Sequence, residues 1–314
     1  MSNLTVRVLV ALVGIPLIIL VTMAGGFYFF GFIALVSGIG LHEFYVLARA
    51  KGTTPHIAIG VVFGLCCNAV FIFARLRDAL LGILLGWGFA IPLPTMSQIF
   101  MILFLIFIPL MMLVELFRGR GSAVLNIATT VTGVVYVSLF LGSLVGLREL
   151  FIPEDFPVYA YFQTPGPSVP GEIAATLYSW GGLTIMTVFA SIWMCDSAAY
   201  FAGRAFGRHK LMPRVSPNKT WEGAAAGFIF ALGTFLLAGI LVLPYLSTVS
   251  AIVCGVIVGL FGQMGDLVES LLKRDAGVKD SSSLIPGHGG VLDRFDSLMF
   301  VAPLLFFYMD FIVF

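Results

Sequence analysis

The amino-acid sequence predicts an all-α polytopic membrane protein with about nine transmembrane helices and a cytoplasm-facing polar site in the C-terminal half. Of its 314 residues, 60% are hydrophobic and 11% are charged, whereas about a quarter of the residues of a soluble domain are charged. Many apolar stretches approach the ~20 residues that a helix needs to cross a ~30 Å hydrocarbon core. These stretches are continuous rather than alternating, which argues against a β-barrel.

The predicted spans are separated mostly by short loops. The stretch 79–92 is apolar but short and interrupted by Gly and Pro, so we expect it to be interfacial or re-entrant. A tenth span there would move the N-terminus to the other side of the membrane. Arg7 and the apolar run after it also suit a cleavable signal peptide, but a second span follows at once and favours an anchor. The nine spans are expected at residues 6–23, 26–48, 56–74, 98–117, 122–147, 178–202, 221–243, 248–272 and 297–314.

Charge divides the chain into two regions. Residues 1–177 are predicted to be an N-terminal transmembrane scaffold with an acidic, proline-rich external loop at 148–177. Residues 178–314 are predicted to be a catalytic transmembrane region. Residues 203–220 carry five basic side chains and no acidic one, so the positive-inside rule places this loop in the cytoplasm. The net charge of +1 gives no indication of nucleic-acid binding, and the four cysteines lack metal-ligand spacing.

A first polar cluster lies in "CDSAAYFAGRAFGRHKL", residues 195–211. Asp196 interrupts an apolar span, where an ionised carboxylate costs at least ~2.5 kcal/mol on insertion scales. Tyr200 and Gly203 follow one and two helical turns later on the same face. The stripe is therefore predicted to lead toward the cytoplasmic end, although an aspartate paired to a neighbouring helix for packing alone would also explain Asp196.

A second cluster is "SPNKTWEG", residues 216–223, immediately before a long apolar run. Ser216, Asn218 and Thr220 are candidate N-caps, and Pro217 suits a first helical turn. The free N–H groups of a helix start favour anions, and Lys219 adds a full positive charge. A plain helix cap beside a cytoplasmic lysine would have the same sequence.

The third cluster begins with "GDLVES" and runs to Asp296. Asp266, Glu269 and Lys273 fall on one helical face if the span continues as helix. The loop then ends in "PGHGGVLDRFD", where Asp293 and Asp296 share a face. Asp266, Asp293 and Asp296 near lysine and arginine are predicted to hold Mg²⁺ with phosphates, and a second cation is left open. His288 is the one histidine of this passage, which disfavours zinc.

Residues 270–296, with SxxKRxxxxKD, PGHGG and DRxD, resemble the signature of phosphatidate cytidylyltransferases, and "DSAAYFAGRAFGRHKLMPRVSPNKTWEG" is similar to a second stretch of that family. The resemblance covers roughly residues 190–300. It implies the reaction CTP + phosphatidate → CDP-diacylglycerol + pyrophosphate in phospholipid biosynthesis, at the cytoplasmic face of a cell inner membrane. Phosphatidate would enter sideways from the bilayer.

The resemblance also implies roles for individual residues. Lys219, Asp266, Lys273, Asp293 and Asp296 would be catalytic, the three aspartates as ligands of Mg²⁺. Orienting partners would be Asp196, Tyr200, Glu269 and Asp280. Substrates would be bound by Ser216, Asn218, Arg274, Lys279, Gly287, His288, Gly289, Gly290 and Arg294.

Two other classes were weighed against this interpretation. CDP-alcohol phosphotransferases carry an aspartate-rich pattern led by Asp-Gly, and this sequence contains no Asp-Gly dipeptide. A secondary transporter would use Asp196, Asp266 and Glu269 to couple ions near the midplane, but the chain shows no internal repeat. Small residues in "GGFYFFG" would permit a homodimer or packing within the chain.

Overall fold

The protein is described by a computed structural model that covers residues 3–89, 92–153, 156–162 and 170–314. Its helices are α1 (Asn3–Ala24), α2 (Gly26–Arg49), α3 (Ile57–Val70), α4 (Phe73–Gly86), α5 (Met96–Arg118), α6 (Ala123–Gly133), α7 (Phe140–Glu149), α8 (Val158–Tyr161), α9 (Gly171–Phe206), α10 (Trp221–Leu241), α11 (Thr248–Ile257), α12 (Gln263–Asp275) and α13 (Leu292–Tyr308). Two short strands, β1 (Lys210–Met212) and β2 (Ser216–Thr220), form an antiparallel hairpin.

The all-α membrane class is confirmed. Within the described ranges, seven helical runs are long and apolar enough to cross a membrane, and the bent pair α3 and α4 can make an eighth. Val8–Ala24 is a shorter apolar helix. The seven runs are Gly26–Arg49, Met96–Arg118, Ala123–Glu149, Gly171–Phe206, Trp221–Leu241, Thr248–Asp275 and Leu292–Val313. With the bent pair and the short helix, these segments agree with the prediction of about nine spans.

In the described part of the chain, two short π-helical segments join pairs of neighbouring helices, and a third follows the last helix. Val134–Leu139 connects α6 to α7, Val258–Gly262 connects α11 to α12, and Met309–Val313 follows α13. Such segments shift the faces of the flanking α-helices relative to one another and are frequent at functional sites. The second one lies directly before Asp266.

The turn between α3 and α4 bends the chain by 79°. The pair is therefore either a broken span or a re-entrant loop, and the interfacial placement of residues 79–92 stays a prediction. Residues 90 and 91 lie outside the described residues, as do 154–155 and 163–169 of the predicted external loop 148–177. That loop is shorter than predicted, because α9 already begins at Gly171.

Two predicted boundaries are wrong in ways that change the site. The span at 178–202 is a 36-residue helix, α9, that continues to Phe206. The last span begins at Leu292 rather than 297, so Asp293 lies in its first turn. Before α10, the predicted N-cap Thr220 is confirmed, since its hydroxyl accepts a hydrogen bond from Gly223 N at 3.2 Å, but the other two candidates, Ser216 and Asn218, belong to β2. Proline cannot donate a backbone hydrogen bond, but Pro217 is tolerated because β2 is an edge strand of a two-stranded hairpin.

The core joins the two halves of the chain. Helix α13 packs against α7, α12 and α2, and α9 packs against α10, α1 and α7. Leu41 of α2, Leu144 of α7 and Met299 of α13 are fully buried in this core. The predicted division at residue 177 is therefore bridged by direct packing between the scaffold and the site helices.

Tyr45 packs between Gly60 and Gly133 in this core. It is fully buried, and its hydroxyl donates a hydrogen bond to Thr130 O at 2.8 Å. A Cβ at Gly133 would lie 2.5 Å from the Tyr45 ring and 2.8 Å from Leu41. The absence of a side chain at Gly133 therefore allows α2 and α6 to pack closely.

We expect Gly133→Ala to destabilise the protein by about 1–3 kcal/mol, because an added methyl group overpacks a filled core. Gly82→Ala is the matched control, since no atom lies within 4 Å of a Cβ at that helical glycine. Thermal unfolding in neutral detergent measures both variants. Equal midpoints for Gly133→Ala and Gly82→Ala would show that Tyr45 is not close-packed against Gly133.

Candidate active site

Carboxylates from three helices meet at one end of the bundle. They are Asp196 of α9, Asp266 of α12 and Asp296 of α13. Asp296 interacts electrostatically with both Asp266 and Asp196, and Asp196 interacts with Asp266. Three negative charges in one membrane-embedded cluster repel one another, so the arrangement requires cations.

The β-hairpin supplies one of these cations. Lys219 Nζ on β2 lies 2.6 Å from Asp266 Oδ2, and both side chains are about one-third exposed, at 28% and 33%. Lys219 and Arg294 also interact favourably with Asp196. The sequence analysis grouped Lys219 and Asp266 correctly, but the structure presents Lys219 from a strand rather than from a helix start.

A second lysine, Lys273, forms ion pairs inside the protein. Lys273 Nζ lies 2.6 Å from Glu269 Oε2 and 2.5 Å from Asp293 Oδ1. The Glu269 side chain is fully buried, and that of Lys273 is 11% exposed. Lys273 therefore forms ion pairs with two buried carboxylates, since buried charges in a membrane protein are tolerated only when they are paired.

The second oxygen of Asp293 organises the preceding loop. Asp293 Oδ2 accepts hydrogen bonds from Ser281 N at 2.9 Å and Gly290 N at 2.7 Å, and it lies 2.9 Å from Ser281 Oγ. Gly289 has a positive φ of +83°, and a Cβ there would point at this carboxylate. Both Asp293 oxygens are thus committed to contacts within the protein, with Lys273 and with the loop backbone.

Glu43 of α2 holds the same loop from the N-terminal half. Its Oε1 accepts hydrogen bonds from Ser282 Oγ at 2.6 Å and Val291 N at 3.1 Å, and its Oε2 accepts from Ser281 Oγ at 2.9 Å and Leu292 N at 2.8 Å. A Cβ at Gly290 would overlap this carboxylate. Glu43 therefore binds backbone N–H groups at the start of α13, where the helix dipole favours a negative charge.

The sequence analysis missed Glu43. The available signal was one carboxylate in the apolar span 26–48, because an ionisable residue inside a membrane helix marks a functional site by default. It was passed over because no motif surrounds it. Its partners lie more than 200 residues away in the chain.

Three cavities adjoin the carboxylates. The first, the hairpin cavity, has a volume of about 440 Å³. Its lining includes Asp196, Tyr200, Gly203, Arg204, Asn218, Lys219, Gln263 and Asp266. The second, the loop cavity, has a volume of about 670 Å³. Its lining includes Lys279, Asp280, Ser282, Gly287, His288, Gly289 and Arg294.

The third cavity is an apolar groove of about 600 Å³ between α1, α2, α9 and α13. Apolar residues such as Ile15, Phe32 and Trp193 line most of it, whereas its polar lining includes Asp196, His288, Asp293, Arg294 and Asp296. Asp196 lines both this groove and the hairpin cavity, and Arg294 lines both the groove and the loop cavity. The polar part of the groove is thus shared with the two polar cavities.

Most residues predicted for the site lie on these cavities, but five do not: Ser216, Glu269, Lys273, Arg274 and Gly290. Arg274 Nη1 donates to Val278 O at 3.0 Å at the end of α12, and Ser216 lies in β2, where it pairs with Met212. Neither lines any of the three cavities described above. Gly290 lies against Ser281 and Glu43, where it allows the loop to close.

The carboxylate cluster fits a magnesium ion whose remaining coordination positions are filled by phosphate oxygens. Within the described parts of the chain, no three His, Cys, Asp or Glu side chains are grouped as a ready-made metal site. Mg²⁺ is usually held by one or two carboxylates and completed by substrate phosphates and water, so a full protein cage is not expected. Asp266 and Asp296 supply hard oxygen donors, with Asp196 nearby.

Comparisons with known proteins agree with these features. A model of the cytidylyltransferase family matches residues 5–312. The chain is 33% identical to the phosphatidate cytidylyltransferase of Synechocystis sp. over 97% of this chain and 96% of that protein. It is 49% identical to the Bacillus subtilis enzyme of the same name over 40% of this chain and 47% of that protein. The Haemophilus influenzae phosphatidate cytidylyltransferase is 42% identical over 48% of this chain and 56% of that protein.

We expect Glu43→Gln to loosen the loop without unfolding the bundle. Each carboxylate oxygen of Glu43 accepts two hydrogen bonds, so an amide nitrogen in either position would face donors. A buried group left unsatisfied costs about 1–3 kcal/mol, which corresponds to about tenfold or more faster amide exchange at Val291 and Leu292. Hydrogen exchange followed by mass spectrometry measures this, with the exposed neighbour His42→Ala as the control. If amide exchange at Val291 and Leu292 were unchanged in Glu43→Gln, Glu43 would not anchor the loop.

Proposed function

The chain belongs to the cytidylyltransferase family, and from this premise we propose that it transfers the cytidylyl group of CTP to phosphatidate, forming CDP-diacylglycerol and pyrophosphate. It is a nucleotidyltransferase of phospholipid biosynthesis and a multi-pass membrane protein. One observation carries the proposal: a carboxylate and lysine site lines an apolar groove between membrane helices as well as a polar cavity. The relatives described above are named as enzymes, so the transporter alternative is not retained.

The reaction needs charge neutralisation more than a base. An oxygen of the phosphatidate monoester attacks the α-phosphorus of CTP, the bond to the β-phosphate breaks, and pyrophosphate leaves with that electron pair. The nucleophile is already largely deprotonated near neutral pH. Because both reactants are polyanions, catalysis consists mainly of positioning them and offsetting their charge.

We assign the nucleotide to the polar cavities beside the hairpin and the loop. Lys219 lies beside Asp266 in the hairpin cavity, where its ammonium group would neutralise phosphate oxygens. In the loop cavity, Lys279 and Arg294 add positive charge. Gly287 and Gly289, both with positive φ, allow the loop backbone to approach a phosphate closely.

Mg²⁺ would be held by Asp266 and Asp296, and it would supply charge neutralisation on the triphosphate. Asp196 would stand beside this pair as a third carboxylate and help to orient it. The contacts of Asp293 and Lys273 support a different role from the one expected for them, because each is bound inside the protein. We therefore propose that Asp293 and Lys273 act by holding the loop, while a second cation stays a prediction.

Phosphatidate would enter through the apolar groove. Its acyl chains would lie among the apolar side chains of α1, α2 and α9, and its phosphate would reach Arg294 and His288 in the polar part of the groove. The substrate would thus meet the nucleotide at the carboxylates without leaving the membrane. This geometry explains why a soluble domain is not required for a reaction with CTP.

We propose that the site end faces the cytoplasm of a cell inner membrane. The hairpin region beside the site carries Arg204, Arg208, Lys210, Arg214 and Lys219, and basic residues favour the cytoplasmic side. CTP is available in that compartment. A homodimer stays a prediction; Gly25 of the "GGFYFFG" stretch lies against Arg148 of the same chain.

We expect Asp296→Asn to lower pyrophosphate release from CTP and phosphatidate by about 100-fold or more, because it removes a proposed ligand of the Mg²⁺ that offsets charge on the reacting phosphates. Asp275→Asn is the matched control: Asp275 pairs with Lys51 at 3.1 Å, both side chains are exposed, and Asp275 lines none of the three cavities. The assay uses purified protein with CTP, Mg²⁺ and phosphatidate. Full activity in folded Asp296→Asn protein would contradict the assigned role.

We expect Gly14→Leu to raise the KM for phosphatidate about tenfold and to leave the KM for CTP unchanged. Gly14 lines the groove with open space at its Cβ position, so a leucine side chain would occupy volume meant for an acyl chain. Gly31→Leu on α2 is the control, since Gly31 is also open but lies outside the groove lining. An equal rise in the KM for CTP would contradict the assignment of the acyl chains to the apolar groove.

A further inference from the structure

A separate cavity lies at the end of the bundle opposite the carboxylates. It has a volume of about 720 Å³, and its lining includes Phe27, Arg75, Ile152 and Tyr178. Tyr178 and Asp196 lie about five helical turns apart on α9, roughly 27 Å at 1.5 Å per residue. The proposed cytidylyl transfer uses no residue of this cavity.

Two arginines give this end of the bundle an excess of positive charge. Arg75 is paired through Nε with Glu149, and Arg148 is fully buried. Within the part of the chain that the structure describes, Nη1 and Nη2 of Arg148 and Nη2 of Arg75 have no hydrogen-bond partner. Both guanidinium groups lie over the Tyr178 ring, at 4.2 Å for Arg148 and 5.7 Å for Arg75. Glu149 supplies one negative charge for the two arginines, and its Oε1 also lacks a hydrogen-bond partner among the described residues, so a net positive charge remains that favours an anion.

The arginines are held by close-packed backbone. A Cβ at Gly25 or at Gly181 would lie 2.5 Å from a guanidinium nitrogen of Arg148, so both glycines make room for it. Arg148 Nε donates to Thr22 O at 3.2 Å, and the Tyr178 hydroxyl donates to Ala24 O. These are carbonyl groups at the C-terminal end of α1. The positive charge is thus fixed in the fold, in contrast to a mobile surface arginine.

We propose that this cavity binds the phosphate group of an anionic phospholipid in the leaflet opposite the carboxylate site. Arg75, whose side chain is 27% exposed, is the arginine that the lipid phosphate would meet, through a charge-assisted hydrogen bond. Arg148 adds its charge from behind Tyr178. Phe27, Ile152 and Ala174 form an apolar wall against which the glycerol and first acyl carbons would pack. A free phosphate would also meet Arg75 but would not pack against this apolar wall.

The test uses purified full-length chain in neutral detergent without CTP, titrated with phosphatidylglycerol and followed by thermal unfolding. We expect the half-saturating phosphatidylglycerol concentration to rise at least about tenfold in Arg75→Gln, through loss of a charge-assisted hydrogen bond. Arg77→Gln is the matched control, because Arg77 is exposed two residues further along the same helix and does not line the cavity. Any lipid bound in the apolar groove is common to all three proteins and cancels in the comparison.

If Arg75→Gln does not fold, Ala174→Phe serves instead, because it fills the cavity and keeps both arginines; it should weaken the response to phosphatidylglycerol similarly. An equal response in wild type and in the tested cavity variant would overturn the proposal. So would an equal stabilisation by phosphatidylcholine, which would remove the requirement for an anionic lipid. If inorganic phosphate alone reproduced the full stabilisation, the occupant would be a free anion rather than a lipid.

Discussion

The loop beside the site is held in place by hydrogen bonds to two carboxylates, Asp293 of α13 and Glu43 of α2. Asp293 and Glu43 together accept hydrogen bonds from Ser281, Ser282, Gly290, Val291 and Leu292, and Lys273 balances Asp293 from α12. Burying such charges in a membrane protein is costly unless each is paired and bonded, and here nearly every donor and acceptor is used. The loop at 281–290 is therefore fixed on one side by α2 and on the other by α12 and α13. With the loop fixed, its glycines and Arg294 have a defined position beside Asp296.

This anchoring separates the acidic residues by role. Asp293 and Glu269 are neutralised by Lys273 inside the protein, whereas Asp196, Asp266 and Asp296 have only Lys219 as a direct ion-pair partner in the structure described. The second group therefore retains an excess of negative charge, suited to a divalent cation that brings phosphates with it. The same end of the bundle lines the apolar groove. In the proposed reaction, a lipid phosphate and a nucleotide triphosphate would meet there with their charges offset by the cation and the lysine.

The sequence predicted the spans well and the site partly, for identifiable reasons. Membrane helices are dictated by apolar length, so α2, α5 and α10 begin and end near their predicted bounds. The clustering of Lys219 with Asp266 followed from the motifs. The carboxylate of Glu43 in an apolar span was visible in the sequence, but its role was not, because that role arises only when α2 packs beside α13. The helical phase of Asp293 and Asp296 was read correctly, but their different partners depend on how the loop folds back. The helix start predicted within residues 216–223 is correct at Thr220, but the strand before it was not predicted, because Ser and Asn suit either structure.

The central claim is that this membrane-embedded site moves the α-phosphate of CTP onto a lipid. Purified protein incubated with phosphatidate, Mg²⁺ and CTP labelled with ³²P at either the α or the γ position tests it directly. The account predicts that the α label appears in the chloroform-soluble lipid fraction while the γ label stays in the aqueous phase as pyrophosphate. Appearance of the γ label in lipid, or of neither label with folded protein, would contradict it.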